Sequence, residues 1–386
     1  MKIKCERDKL LAAFQVAAGV APSRSPKPIL QNVKIEAADN AAVLMATDLE
    51  VGIRIDIAEL EVEVPGSALL SVAQFNSILR ESSDETLRIE ADEHGVVVSG
   101  DRSKFKLAAG NPAEFPNVPE FEETKYHEVP ARLMKELIRR TLFATDTESS
   151  RYALGGVLLE MENDRIIAVG TDGRRLAKME GPATAVDGHA TGDAMTIVPS
   201  RSMQLIERAL SDGDAEIRIA SRGNDFLVKS PTVTITSRLV EGRFPRWRDV
   251  LPQRPEAAHI EISVGPMHSA LRQAAIVTSV DSRGIDFTFG NGSLVLCGLT
   301  ADVGESHVEL PIPYDGEEIT LCLDHRFVSD FLKVLDQEKV FTLNILDTDS
   351  AALFETGDGY GYVVMPLARD RPQAESAESA EPAGTA

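Results

Sequence analysis

The sequence predicts an α+β fold made of three tandem copies of one unit that combines helices with antiparallel strands. Three observations lead to this prediction. The chain has 386 residues, a length that suits two or three domains. A helix pattern recurs about every 125 residues, and strand-like runs separated by a turn follow each helix. With 43% hydrophobic and 26% charged residues, the composition is that of a soluble globular protein.

Each copy begins with apolar residues at helical spacing. These residues are Leu10, Leu11 and Phe14 in copy one, Leu133, Met134, Leu137 and Ile138 in copy two, and Leu271, Ala274 and Ala275 in copy three. Two strand-like runs follow each helix around a turn, at Asp39-Asn40, Asn163-Asp164 and Gly290-Asn291-Gly292.

The second half of each copy repeats this plan. A strand-like run ends at a candidate N-cap residue, and a second helix pattern follows. The candidate caps are Ser71, Ser200 and Asp324. More strand-like runs come after each helix, so the chain is predicted to contain about six helix-plus-sheet half-units.

Proline-containing segments at 115–119 and 244–247 mark the boundaries between copies. We therefore expect domain one at residues 1–122, domain two at 123–252 and domain three at 253–370. Residues 371–386 consist mainly of Ala, Glu, Ser, Pro and Gly, and their low apolar content predicts a disordered acidic tail.

Bulk properties exclude several classes of protein. The first eight residues mix charges, and no stretch approaches the roughly 18 apolar residues of a membrane span, so a cytoplasmic protein without membrane contact is expected. The three cysteines are far apart and indicate neither a disulfide framework nor a zinc site. The formal net charge of -21 by itself disfavours binding to nucleic acid.

A central motif, Thr171-Asp172-Gly173-Arg174-Arg175-Leu176, follows the strand-like run at 165–169. Asp-Gly is typical of a turn, and neighbouring arginines are usually solvated. An enzyme could instead use Asp48 or Asp172 as a nucleophile or metal ligand. The seven histidines form no motif, however, and the sequence has no P-loop or dinucleotide fingerprint. A scaffold of repeated modules that binds no nucleic acid is a third alternative, which the net charge favours.

Three motifs follow one another along the chain. They are 171–176, then Leu239-Val240-Glu241-Gly242-Arg243-Phe244-Pro245, then Tyr362-Val363-Val364-Met365-Pro366-Leu367. With the threefold repeat they make the chain, up to about Arg369, resemble the bacterial sliding clamps, the β subunits of DNA polymerase III. The resemblance implies three DNA-clamp domains, closed as a head-to-tail dimeric ring that encircles double-stranded DNA. It also implies a processivity factor without catalytic residues, cofactor or metal.

The resemblance further implies that partners dock by a short peptide in a pocket between domains two and three. The expected partners are the replicative DNA polymerase catalytic subunit, the clamp loader, and repair and translesion polymerases. The residues that match the pocket are Leu154, Thr171, Gly173, Arg174, Arg175, Leu176, Pro245, Val250, Val363, Val364, Met365, Pro366 and Leu367. The arginines are expected to offer donors to the peptide, and Asp249 stands where some relatives have another arginine.

Two further sets of residues are implied in the same way. Contacts with DNA are expected from Arg24, Arg80, Arg139, Arg201 and Arg208. Other helical cations, Arg140 among them, are of a suitable type, whereas Glu148 stands where some relatives carry a neutral side chain. The dimer interface is expected to pair Phe105 and Leu107 with Ile276 and Val277 of the second subunit.

The internal repeat divides the central motif into two parts. Copy one has Thr47-Asp48 where copy two has Thr171-Asp172, which indicates that this pair is structural and ends or bulges a strand. The segment 173–176 occurs in copy two alone. We therefore assign the functional role to Gly173-Arg174-Arg175-Leu176.

Overall fold

The computed structural model describes residues 1–146, 152–192, 194–210, 213, 215–251 and 256–368. Glu148 and the predicted tail at 371–386 lie outside these residues. The chain divides into two units, the first made of residues 1–252 with 355–363, and the second of 253–354 with 364–386. The first unit thus contains the first two copies, and most of copy three forms the second.

The helices occur in pairs, one pair in each copy. The described residues form six α-helices: α1 (Arg7–Ala18), α2 (Val72–Glu81), α3 (Ala131–Thr141), α4 (Ser200–Ala209), α5 (Val264–Ala274) and α6 (His325–Lys333). Short 3-10 helices occupy Pro28–Gln31, Pro112–Glu114, Leu142–Ala144, Tyr152–Leu154, Trp247–Asp249 and Ala275–Val277. Among the residues that the structure describes, no helix has both the length and the apolar character needed to cross a membrane.

Strands fill the intervals between the helices. Copy one contains β1 (Lys2–Glu6), β2 (Asn32–Ala38), β3 (Ala41–Thr47), β4 (Val51–Ile57), β5 (Glu61–Val64), β6 (Gly66–Ser71), β7 (Thr86–Asp92), β8 (Gly95–Ser99) and β9 (Lys104–Leu107). Copy two contains β10 (Tyr126–Pro130), β11 (Gly156–Glu162), β12 (Arg165–Thr171), β13 (Arg175–Pro182), β14 (Thr184–Val186), β15 (Thr196–Pro199), β16 (Glu216–Arg222), β17 (Asp225–Lys229) and β18 (Val233–Arg238). Copy three contains β19 (Ala258–Ser263), β20 (Gly284–Gly290), β21 (Ser293–Thr300), β22 (Gly304–Pro311), β23 (Ile319–Asp324), β24 (Val340–Ile345), β25 (Ala352–Glu355) and β26 (Tyr360–Val364).

In the first unit, one continuous sheet joins copies one and two. Its strand order is β14-β10-β16-β17-β18-β4-β3-β2-β6. Strand β18 of copy two pairs antiparallel with β4 of copy one, with Ile235 opposite Ile53. A second sheet, β5-β1-β7-β8-β9, belongs to copy one, and in another sheet the copy-two strands β15-β11-β12-β13 are followed by β26. Because β18 and β4 share a hydrogen-bonded ladder, the first two copies form one body.

Apolar side chains fill the space between helices and sheets in each copy. Phe14 of α1 and Phe75 of α2 are fully buried, and their ring centroids lie 4.9 Å apart. In copy two, α3 and α4 bury their apolar faces in the same way. The second unit contains the four-stranded sheet β22-β21-β20-β23 and a core in which the Phe331 ring meets Phe341 edge-on and Phe354 at a tilt, with ring centroids 5.3 and 5.1 Å apart. Burial of these aliphatic and aromatic side chains stabilises each copy.

Only one of the three predicted N-caps forms the expected bond. The Asp324 side chain accepts a hydrogen bond from the Arg326 backbone N–H at 3.0 Å. Ser71 precedes α2, but its hydroxyl bonds the Gln74 side chain instead of a backbone N–H. Ser200 is the first residue of α4, and its Oγ donates to the Gly155 carbonyl at 2.8 Å. The prediction that Ser200 caps α4 was wrong, because its hydroxyl donates to the Gly155 carbonyl, which is distant in sequence.

Candidate functional site

The central motif forms a tight turn between β12 and β13. The Thr171 hydroxyl donates to the Arg175 carbonyl at 2.6 Å and accepts from the Gly173 N–H at 3.1 Å. Asp172 Oδ1 accepts from the backbone N–H groups of Arg174 and Arg175 at 2.9 and 3.0 Å. Gly173 has φ +86°, and a Cβ placed on it would have no neighbour within 4 Å. The turn therefore presents open backbone to solvent at Gly173.

Copy one builds the same turn from Thr47 to Val51. The Thr47 hydroxyl donates to the Val51 carbonyl at 2.8 Å, and Asp48 Oδ1 accepts from the N–H groups of Glu50 and Val51 at 3.0 and 2.7 Å. Leu49 occupies the position of Gly173, with φ +80°. The prediction that Thr-Asp is a structural pair is confirmed, because both copies use it to close a strand-ending turn.

The two arginines of the motif have different environments. The Arg175 side chain is only 11% exposed, and its Nε donates to Asp172 Oδ2 at 3.0 Å. Its Nη2 donates to the Phe143 carbonyl at 2.7 Å, and the guanidinium lies 5.4 Å from the centre of the Phe143 ring. The Arg175 guanidinium therefore stabilises the turn, and its role as a donor to a partner stays a prediction. Arg174 is exposed and makes no ion pair with another described residue.

The aliphatic residues of the first unit that are predicted to form the pocket differ in their exposure to solvent. Leu154 and Leu176 are buried, whereas Pro245 and Val250 are exposed on the segment after β18. That segment is held in place by the Val240 N–H, which donates to the Ile197 carbonyl at 2.8 Å. Asp249, the departure from the family pattern, pairs with Arg246 at 3.1 Å.

A polar anchor for the same segment escaped sequence reasoning. Trp247 Nε1 donates to Glu160 Oε1 at 3.0 Å, and Arg248 donates to both carboxylate oxygens of Glu160 at 3.1 and 2.7 Å. The Arg248 guanidinium also lies 4.3 Å from the centre of the Trp247 ring. Glu160 is 88 residues away from Arg248 in sequence, so no local pattern marks the pair.

The final predicted segment changes character at the end of β26. Val363 and Val364 are both buried. In the second unit, Met365 and Leu367 are exposed by 45% and 38%, and Pro366 between them is half-buried. The Leu367 N–H donates to the Cys322 carbonyl at 2.8 Å, which fixes this segment beside β23. Met365 and Leu367 are thus the apolar side chains that this segment presents to solvent.

The predicted DNA contacts all lie at the surface. Arg24 is exposed in a loop, and exposed arginines lie on α2, α3 and α4 at Arg80, Arg139, Arg201 and Arg208. Arg201 already has partners: its Nη1 lies 2.5 Å from Asp48 Oδ2, and its Nη2 donates to the Val20 carbonyl at 3.2 Å. Arg201 therefore joins copy two to copy one.

Arg140, next to Arg139, is not a surface cation. The residue is 6% exposed, with its Nε 2.9 Å from Glu136 Oε2 and its Nη1 2.9 Å from Asp358 Oδ2. The guanidinium lies 5.2 Å from the centre of the Tyr360 ring. Its inclusion among cations suitable for DNA is a wrong expectation, because the phase of α3 turns this side chain into the protein.

The residues expected at the dimer interface lie on exposed apolar surfaces of two different units. In the first unit, β9 is an edge strand and Phe105 is 38% exposed, with Leu107 half-buried. In the second unit, Ile276 is 75% exposed and Val277 is half-buried. Val280, Leu299 and Val303 of the second unit are also exposed apolar residues, and the sequence did not indicate them.

A buried histidine pair also escaped sequence reasoning. His127 and His189 approach to 2.6 Å between their Nδ1 atoms, and His127 Nε2 lies 2.5 Å from the Glu162 carbonyl. A carbonyl only accepts, so His127 carries its proton on Nε2 and its Nδ1 accepts from His189. Burial lowers the pKa of both rings. The two residues are 62 positions apart in sequence, and no spacing rule links them.

Comparison with known proteins identifies relatives along the chain. The N-terminal, central and C-terminal domains of the DNA polymerase III beta subunit match residues 1–119, 128–246 and 248–368. The beta sliding clamp of Escherichia coli K12 is 30% identical over 374 residues, covering 95% of this chain and 100% of that protein. The beta sliding clamp of Pseudomonas putida is 30% identical over 381 residues, again covering 95% and 100%.

Solved structures agree with these matches. The DNA polymerase III subunit beta from Pseudomonas aeruginosa has a TM-score of 0.86 at 27% identity, covering 95% of this chain and 100% of that one. A sliding clamp from the same organism, bound to griselimycin, has a TM-score of 0.88 at 26% identity, covering 96% and 100%.

Three tandem copies of a two-helix, sheet-rich unit, matched over almost their whole length by clamp structures, define a DNA-clamp type of protein. The predicted α+β fold class of three clamp domains is confirmed. The chain belongs to the DNA polymerase III beta subunit family, whose curated members are called beta sliding clamps.

Proposed function

We propose that this protein is a DNA polymerase processivity factor that acts as a ring around duplex DNA. The observation that carries the proposal is the match of all three family domains, in order, from residue 1 to residue 368. A closed ring keeps a polymerase on its template by topology, so it needs no tight binding at any one place. The protein then acts in cytoplasmic DNA replication without catalysing a reaction itself, and it needs neither cofactor nor metal.

The ring is a head-to-tail homodimer. Phe105 and Leu107 on the edge strand β9 of one subunit meet Ile276 and Val277 of the other. An edge strand offers unpaired backbone groups, and the apolar side chains beside it lose contact with water when they pair. The surface exposure of Phe105 and Ile276 supports this assignment. Val280, Leu299 and Val303 extend the apolar surface of the second unit.

Contacts with DNA are few and weak. Arg24, Arg80, Arg139 and Arg208 reach solvent from a loop and from α2, α3 and α4, and each can contact phosphate without reading sequence. Arg201 contributes less, because Asp48 and the Val20 carbonyl hold its guanidinium. The net charge of -21 is compatible with this function, since an acidic exterior keeps DNA away from the outer surface.

Partners dock by a short peptide on the surface that carries the three motifs. Gly173 allows close approach of the peptide backbone, Arg174 supplies charge, and Met365 with Leu367 supplies adaptable apolar contact. The other residues that we propose for this site are Leu154, Thr171, Arg175, Leu176, Pro245, Val250, Val363, Val364 and Pro366. A related clamp from Pseudomonas aeruginosa has been solved bound to griselimycin, which supports a ligand-binding surface in this family.

The replicative DNA polymerase catalytic subunit, the clamp loader, and repair and translesion polymerases are the partners that we propose for this surface. The proposed domain limits are residues 1–122, 123–252 and 253–370. An enzyme that uses Asp172 remains the competing hypothesis. It requires a turnover that Asp172→Ala abolishes, whereas a clamp has no turnover to lose.

Solution mass tests ring closure directly. The wild-type protein should have twice the 41.8 kDa mass of one chain. Ile276→Asp places a charge in the proposed interface and should give the single-chain mass. Val340→Asp is the matched control, because Val340 is also exposed in the second unit but lies outside the proposed interface. A wild-type monomer at micromolar concentration contradicts the ring.

A further inference from the structure

A cavity of about 640 Å³ lies within the first unit, where copy one meets copy two. Three segments line it: the copy-one turn, the first turn of α4, and the end of β18 with the residues after it. The lining residues lie within 48–51, 199–202 and 237–241.

Each of these segments has a counterpart one copy further along the chain. The turn 48–51 corresponds to 172–175, with the same hydrogen bonds. The start of α4 corresponds to the start of α6, and the end of β18 corresponds to the end of β26. In that alignment, Leu239 takes the place of Met365 and Glu241 that of Leu367. Two of the three segments that line the cavity, the turn and the end of β18, are thus repeat counterparts of segments assigned to the proposed partner surface.

We propose that this cavity is a second docking site, which takes a short partner peptide with an aliphatic side chain next to a carboxylate. The site goes beyond the proposed function, which uses only the surface around Gly173 and Met365. The proposal rests on that function, because the second site is inferred from its repeat relationship to the first.

The floor of the cavity suits an aliphatic side chain. Val51 is buried, and Pro199, Leu239 and Val240 are half-buried around it. The hydroxyl of Ser237 donates to that of Ser202 at 2.7 Å, so these polar groups satisfy each other. An aliphatic group can therefore cover the floor without leaving these hydroxyls unpaired.

Among the charged groups of the rim, Arg238 is the candidate partner for a ligand carboxylate. Arg201 is held by Asp48 at 2.5 Å, and Glu241 accepts from the Asn224 side chain at 3.2 Å. Arg238 and Glu50 approach only to 3.8 Å, and both side chains are mostly exposed. Such a loose surface pair contributes little. Arg238 can therefore exchange Glu50 for a ligand carboxylate at small cost.

Copy one differs from copy two in ways that predict weaker binding here. Leu49 replaces Gly173, so a side chain occupies the position where the other turn is bare backbone. Glu50 replaces Arg174, which puts an acidic group beside the approaching carboxylate. Each change lowers affinity for an acidic peptide, so the second site should bind more weakly than the first.

Calorimetric titration with the capped peptide acetyl-Ser-Leu-Asp-Leu-Leu-amide tests the proposal on the full-length protein. Wild type should bind two peptides per chain with unequal affinity. Met365→Asp disables the first surface, so the weaker binding should remain. Adding Arg238→Glu to Met365→Asp should weaken that residual binding about tenfold or more, because a charge-assisted contact becomes a repulsive one. Leu239→Glu in the same background should have a similar effect.

Lys125→Glu is the matched control, since it reverses an exposed charge away from the cavity. In the Met365→Asp background it should leave the residual binding unchanged. One peptide per wild-type chain, with no binding to Met365→Asp, overturns the second site and leaves the proposed function intact. Residual binding that ignores both Arg238→Glu and Leu239→Glu also overturns it. If wild type binds no peptide at all, both proposals are contradicted.

Discussion

Arg140 and Arg139 are neighbours on α3 with opposite environments, and replacing each by methionine separates a structural cation from a surface one. Arg140 is buried between Glu136, Asp358 and the Tyr360 ring. The Arg139 side chain is 49% exposed and pairs only with Glu136, at 2.6 Å, among the described acidic residues. Methionine keeps most of the side-chain length and apolar volume while it removes the charge. The comparison therefore isolates the electrostatic contribution of each guanidinium.

The expected loss of stability for Arg140→Met is about 2 kcal/mol. Removing one partner from a buried ion pair costs about 3–5 kcal/mol when the other charge stays buried. Here the cost is smaller, because the carboxylates of Asp358 and Glu136 are 37% and 29% exposed and water can solvate them. Loss of the contact with the Tyr360 ring adds about 0.5–2 kcal/mol. Arg139→Met should cost about 0.5 kcal/mol or less, as is usual for a surface pair.

Urea unfolding followed by tryptophan fluorescence provides the measurement. Trp247 is the single tryptophan and lies buried in the first unit, as Arg140 does. A double-mutant cycle with Asp358→Asn should give a coupling energy of about 1 kcal/mol between Arg140 and Asp358. Equal stability of Arg140→Met and Arg139→Met, within about 0.5 kcal/mol, refutes the assignment of Arg140 as a structural cation.

Three other predictions concern the buried histidine pair, the turn at Gly173 and the exposed cation Arg139. Burial lowers the pKa of His127 and His189 in the folded protein, so their contribution to stability should be fully present above about pH 6.5 and fall as the pH decreases below it. His189→Gln should flatten this pH dependence of the unfolding free energy. An unchanged slope argues against the contribution of the histidine pair. Gly173→Leu copies Leu49 of the equivalent turn, so it should cost only about 1–2 kcal/mol in stability. The same variant should weaken partner-peptide binding about tenfold or more. Gly223→Leu controls for backbone strain, because Gly223 has φ +59° and a Cβ placed on it would have no neighbour within 4 Å. Arg139→Met should lower the slope of log DNA affinity against log salt concentration by about one unit, without changing the sequence preference of the protein. An unchanged slope removes Arg139 from the DNA contacts.

Periodic apolar patterns were enough to predict the six helices and the threefold repeat, because each helix buries one face on a sheet within its own copy. The Thr-Asp turn was also predictable, since its hydrogen bonds connect residues at most four positions apart. Local physics fixes both features. Sequence reasoning was therefore most accurate where the interacting groups are close in the chain.

Long-range partners explain the misses. Asp358, which holds Arg140, is 218 residues away, and Glu160, which holds Arg248, is 88 residues away. Nothing in the helix pattern distinguishes Arg140 from Arg139 except its position three residues after the buried Leu137 and four after Glu136. That phase was the available signal. The Ser200 cap failed for the same reason, because the carbonyl of Gly155, 45 residues away, accepts the hydrogen bond from its hydroxyl.

Retention on circular and on linear DNA tests most directly whether the protein holds DNA by encircling it. The protein is placed on a nicked circular plasmid by the clamp loader that we propose as its partner, supplied with ATP, and free protein is removed by gel filtration. Bound protein should stay with the circle in high salt, which screens phosphate contacts, and should be lost once one cut linearises the plasmid. Equal loss from the circular and the linear form would contradict encirclement.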